Sequence, residues 1–137
     1  MRKLTVLGLT MAAALLVSAC ATSGGGLTGK AWQLTAITEV VPAFQGVVPE
    51  ADQSRYTITF NTDGTYNAVA DCNNLSGSYT TTGTGGLTIE LGPMTMVACP
   101  EDSMSDMYVA ALGDAESYAI ADGQLTITTG NGSLAFK

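Results

Sequence analysis

Cysteine and carboxylate are the side chains with chemistry to offer in this chain, which holds Cys20, Cys72 and Cys99, 12 acids and no histidine. Without an imidazole, Ser-His and Cys-His nucleophilic mechanisms are excluded, together with the usual zinc sites. Ser103 has no base near it in the sequence, and Asp71 has no evident second carboxylate for paired-acid glycoside chemistry. Asn61-Thr62-Asp63-Gly64 invites a calcium loop, but alignment on Gly64 puts Thr59 and Ala70 at ligand positions, so Asp63 reads as a turn residue. Glu101, Asp102 and Asp106 could gather a cation, yet acids are also what a helix N-terminus favours. No catalytic residue, metal site or cofactor is expected, and the chain is read as a non-enzyme.

The odd cysteine count is resolved by the N-terminus. Arg2 and Lys3 precede an apolar run from Leu4 to Val17, too short for the ~20 residues that span a bilayer and suited to a secretory signal over residues 1–19. Val17-Ser18-Ala19-Cys20 resembles the lipobox of bacterial lipoproteins, which implies cleavage before Cys20 and a lipid on its sulfur. An ordinary signal cut at the same place would instead leave Cys20 as a free thiol. Ala21 is not Asp, so a host with two membranes is expected to sort the protein to the outer one, facing the periplasm. Residues 20–29 are small and flexible in composition and read as a tether. Export makes Cys72 and Cys99 the pair for a disulfide, the alternative being two buried free thiols.

The mature chain then carries Lys30, Arg55 and Lys137 against all 12 acids, a side-chain charge of −9. Such a surface repels phosphate backbones, which excludes nucleic acid as a partner, and nothing basic draws it to anionic headgroups. The lipid on Cys20 is the expected membrane contact. An envelope protein is the expected partner, and the chain is read as a monomer.

These residues must be positioned by strands. Charged residues are 12% of the chain while Thr and Gly are plentiful, which suits short strands and tight turns, and 137 residues allow one domain. Trp32, Leu34 and Ala36 alternate with Gln33 and Thr35; Tyr56, Ile58 and Phe60 lead through Asp63-Gly64 to Tyr66, Ala68 and Ala70, a hairpin signal. Leu87, Ile89 and Leu91 form another strand, broken by Gly92-Pro93; Tyr118 and Ile120, Leu125 and Ile127, Leu134 and Phe136 follow between Asp-Gly and Gly-Asn-Gly turns. Residues 39–54 read as a long loop. A helix is expected over roughly residues 100–113, opened by Pro100 and stopped by Gly113, with Met104, Met107, Tyr108, Ala111 and Leu112 as its apolar stripe. The expected fold is mainly β: a small antiparallel, strongly curved sheet or barrel of about eight strands with that helix covering one end.

Trp32-Gln33-Leu34, the Phe60 to Gly64 hairpin, Cys72-Asn73, Ser76-Gly77-Ser78-Tyr79, the stretch from Thr95 to Cys99-Pro100, the helix ending Ala111-Leu112, Tyr118 and Gly123-x-Leu125 together resemble the META, or HslJ-like, domain over residues 30–137. The resemblance marks Asp71, Asn73, Gly77, Tyr79 and Thr95 as motif positions. Asp71 stands where the family commonly has Gly, and Asn74 and Met96 stand where it often has basic residues. The family implies a barrel-like β fold with a helix, in small envelope or secreted proteins linked to heat shock, motility and novobiocin tolerance, with no established catalytic residues. Three functions are consistent with this: an anchored envelope protein acting by interaction, a carrier of a small apolar ligand, or a carboxylate-dependent hydrolase.

Overall fold

A computed structural model of the chain describes residues 26–137. Residues 1–19, Cys20 and the first part of the expected tether lie outside the described residues. Within it, Leu27 is buried, Thr28 bridges Phe60, and the Trp32 indole N–H donates to the Leu27 carbonyl at 2.9 Å. The domain is therefore already packed three residues before Lys30.

Nine strands follow: β1 (Ala31–Glu39), β2 (Phe44–Val47), β3 (Tyr56–Phe60), β4 (Thr65–Ala70), β5 (Asn73–Thr81), β6 (Leu87–Met94), β7 (Ala115–Ala121), β8 (Gln124–Thr129) and β9 (Gly132–Phe136). Eight form one antiparallel sheet in the order β6-β5-β4-β3-β1-β9-β8-β7, and β2 pairs with the end of β1. The sheet curls into a half-barrel whose outer strands touch through a bridge between Gly86 and Ser117 and the Tyr118 N–H to Gly85 carbonyl bond at 2.9 Å. The expected curved sheet of about eight strands is what forms. Its interior is filled by Trp32, Phe60, Tyr66 and Phe136, each with under 2% of its surface exposed, and by buried aliphatic residues between them.

Three local readings need correction. β1 does not keep Trp32, Leu34 and Ala36 on one face, because a bulge between Leu34 and Ala36 re-phases the strand and turns Ile37 inward. The stretch 39–54 is not a plain loop: it holds β2 and the start of a 3-10 helix (Glu50–Arg55), with Val48 buried between them. β6 runs on through Gly92-Pro93 to Met94, since the register shift between Leu75 and Gly77 absorbs one extra residue, and Leu91 next to the shift is exposed.

The helix α1 spans Ser105–Gly113 and is shorter than expected. Pro100 opens a turn instead, closed by the Ser103 N–H on the Pro100 carbonyl at 3.0 Å. The Met104 N–H donates to the Tyr56 hydroxyl at 3.1 Å and the Ser105 N–H to the Ser103 hydroxyl at 3.2 Å. A tertiary contact at Met104 and a local one at Ser105 thus satisfy two donors at the helix start and help set where the helix begins. Tyr108 and Leu112 are fully buried, with the Tyr108 ring 6.0 Å from Tyr56 on β3 and 6.3 Å from Phe136 on β9. Those contacts place α1 in the concavity of the half-barrel.

Candidate functional site

Asn73 is the centre of the best-formed polar cluster. It opens β5 directly after Cys72, which is disulfide-bonded to Cys99 with the two Cα atoms 5.5 Å apart. The side chain of Asn73 is turned inward, leaving 5% of the residue exposed. Its Oδ1 accepts from the Val97 N–H at 2.8 Å and the Thr95 hydroxyl at 3.1 Å, while its Nδ2 donates to the Val97 carbonyl at 3.0 Å. Thr95 in turn accepts from the Asn74 N–H at 2.9 Å and donates its own N–H to the Asn74 carbonyl at 3.0 Å. The amide does for residues 95–97 what a neighbouring strand would do, and it satisfies backbone groups that no sheet ladder reaches. Held this way, Met96 and Val97 stand 83% and 59% exposed.

Asp71 occupies the turn between β4 and β5 at φ 60°. That left-handed conformation costs most residues but not Gly. The Asp71 N–H donates to the Arg55 carbonyl at 2.6 Å, and the Arg55 Nε donates to Asp71 Oδ1 at 2.8 Å while its Nη1 reaches Asp52 at 3.2 Å. The Asp71 side chain is only 4% exposed. Burial pushes its carboxyl up, but the hydroxyl of Ser103, the Arg55 guanidinium and the hydroxyl of Tyr56 outweigh burial and hold it below the ordinary aspartate value. Oδ2 meets no partner at full hydrogen-bond geometry, so the two hydroxyls favour the charge from close by rather than through well-formed bonds.

Ser103 therefore does have a carboxylate beside it, 32 positions away in sequence. The arrangement is a poor nucleophile pair, because a carboxylate stabilised in its charged form is a weak base. It brings the start of α1 beside the β4–β5 turn. Among the described residues, no group of three His, Cys, Asp or Glu side chains is placed to share a metal ion.

Gly77 and Tyr79 lie farther along β5. A Cβ on Gly77 would collide with the Glu90 carbonyl and the ring of Tyr66, its cross-strand partner. Tyr79 donates its hydroxyl to the Asn61 carbonyl at 2.6 Å and packs edge-on against Phe60 at 4.8 Å, bracing the β3–β4 turn. The structure thus brings Asp71, Asn73 and Thr95 together around the Cys72–Cys99 bridge and leaves Gly77 and Tyr79 outside that cluster. Cys20 lies outside the described residues.

A second clamp of the same design escaped sequence reasoning. Asn131, in the β8–β9 turn, accepts the Val41 N–H on Oδ1 at 3.0 Å and donates Nδ2 to the Val41 carbonyl at 2.9 Å, while its own carbonyl accepts the Val40 N–H at 2.8 Å. Val40 and Val41 are exposed. Both clamps sit at the end of the sheet opposite Gly29, whose N–H meets the Phe60 carbonyl at 3.4 Å at the far end of β3 from Arg55 and Asp71.

Two grooves flank the Asn73 cluster. One, of about 530 Å³, is lined by Met94, Met96 and Val97 and by Glu101, Ser103 and Asp106. The other, of about 510 Å³, lies over β3, β4 and β5 and ends at Pro93 and Met94.

A family model described as META domain matches residues 25–137. The chain belongs to the META domain family. No curated protein matches this META domain. Among solved structures, it is similar to a protein from Burkholderia xenovorans determined by NMR, at 24% identity and TM-score 0.62, covering 81% of this chain and 82% of that one. It is also similar to a crystal structure of a DUF4847 family protein from Bacteroides vulgatus, at 14% identity and TM-score 0.54, covering 80% of this chain and 92% of that one. At these identities the likeness is one of fold. The Asn73–Val97 clamp, the Asp71 turn and the bridge all lie within the matched residues of this META domain.

Proposed function

We propose that this META domain is the periplasm-facing part of a lipid-anchored, non-enzymatic envelope protein that acts as a monomer by contact with other envelope molecules. The setting is the envelope stress or antibiotic tolerance that the family resemblance implies. The observation that carries the reading is the use to which the motif residues are put. Asn73, Thr95 and the Cys72–Cys99 bridge hold an exposed segment in one shape, and none of them is left free for chemistry. A preformed exposed segment is what a contact surface needs, because the ordering cost has been met before the partner arrives. A carrier is disfavoured by the bulky side chains that occupy the concavity, Tyr108 of α1 included.

Anchoring is tested by Cys20→Ala, which should abolish labelling by radioactive palmitate and leave the precursor uncleaved; retained label would refute the lipobox. With two membranes, fractionation should place the wild type in the outer one. The interaction reading is tested by in-envelope photo-crosslinking from exposed positions around the domain. Discrete protein adducts are expected, and their absence from every face would overturn it.

A further inference from the structure

We propose that the groove between residues 94–97 and 100–106 docks a cationic amphipathic segment of a partner protein; this rests on, and sharpens, the interaction reading. The groove is lined by Met94, Met96 and Val97 from the end of β6 and the segment after it, and by Glu101 and Asp106 from the segment that leads into α1 and its first turn. Met94 is half-buried against the core, while Met96 and Val97 beside it stay exposed, and neighbouring exposed large apolar side chains mark a contact surface. Two of these three side chains are methionines, whose flexible thioethers adapt to partner side chains of irregular shape. Their backbone is fixed by Asn73 and by the bridge at Cys99, so this lining is preorganised.

The charge in the groove selects the occupant. Among the described residues, Glu101 and Asp106 enter no ion pair, and no Lys or Arg lines the groove. The three basic residues of the mature chain are engaged elsewhere: Arg55 on Asp52 and Asp71, Lys137 on Glu50, and Lys30 over the Trp32 ring at the other end of the sheet. Apolar side chains seated on methionines beside unpaired acids call for a partner with an apolar face bordered by Lys or Arg. Anionic lipid is repelled by the same acids. The groove also lies at the end of the sheet opposite Thr28 and Gly29.

The test uses the full lipidated chain in phosphatidylcholine nanodiscs and a fluorescent 18-residue Leu/Lys amphipathic peptide, read by anisotropy against empty discs. Binding is expected with a Kd on the order of 10 µM. Met96→Asp or Val97→Asp, and Glu101→Lys with Asp106→Lys, should each weaken it about tenfold, and added salt should weaken it too. Val40→Asp, on the other exposed tip, should leave it unchanged. These side chains are exposed, and a thermal melt on each variant confirms the fold. No binding above empty discs at about 100 µM protein, or affinity indifferent to the groove substitutions, overturns the proposal. If the peptide fails while in-envelope crosslinking from other faces still captures a protein, the groove alone is wrong; if crosslinking also fails from every face, the interaction reading falls with it.

Discussion

Asn73 and Asn131 make the same two bonds to a valine backbone, at Val97 and Val41, within 0.2 Å of each other in length. Their surroundings differ. Asn73 is buried, braced by Thr95 and adjoined by a disulfide, whereas the bonds of Asn131 are exposed and no cystine adjoins them. Equal geometry therefore does not mean equal energy. A buried donor or acceptor that loses its partner is left desolvated, while an exposed one turns to water. The buried clamp is the one expected to matter more for stability.

The largest way to disturb that contrast is to cut the bridge. Cys72 and Cys99 are 27 residues apart in sequence, and reduction, or replacement of both by Ala, should cost roughly 3–4 kcal/mol through the unfolded chain, read as a fall in denaturation midpoint. An unchanged midpoint would mean the bridge is absent in solution. Next comes Asn73→Ala, which strands the Val97 N–H and carbonyl and should cost about 2–3 kcal/mol, with new protease cleavage within residues 95–99. Asn131→Ala should cost less than about 1 kcal/mol. Equal losses at the two sites would remove the distinction between them.

Asp71 supplies a finer probe, visible in acid. Its folded-state pKa lies below the ordinary 3.8, so its contribution is fully present above that value and fades as pH falls through the lower, folded pKa. Asp71→Asn tolerates the left-handed turn and removes the charge. The variant should be less stable than wild type near neutrality, and the gap should narrow below pH about 4. A gap that widens in acid would contradict the pairing with Arg55.

Much of this was legible in sequence because it rests on local signals. Asp63-Gly64 between alternating runs predicts the β3–β4 hairpin, and Gly64 does take φ 85° with Asp63 bonded to Thr65. The Cys72–Cys99 pair is the one expected if the chain is exported and Cys20 carries lipid, and the two are bonded. What escaped depends on contacts distant in the chain. The start of α1 is set in part by Tyr56, 48 residues before Met104, while Pro100 sends the usual local signal for an earlier start. Bulges in β1 and at Gly92 invert the alternation that a period of two assumes. Asn131 between two glycines reads as a turn and shows nothing of its hold on Val41, and Ser103 meets Asp71 only through the fold.

Amide hydrogen exchange at Val97 tests the central claim most directly. Its side chain is largely exposed, yet its N–H is bonded to Asn73, so it should exchange far more slowly than the neighbouring Met96 and than Val41 on the exposed clamp. That protection should vanish in Asn73→Ala with the disulfide intact. Exchange of Val97 at the rate of Met96 in the wild type would show that residues 95–97 are not held, and that the motif does not build a preformed surface.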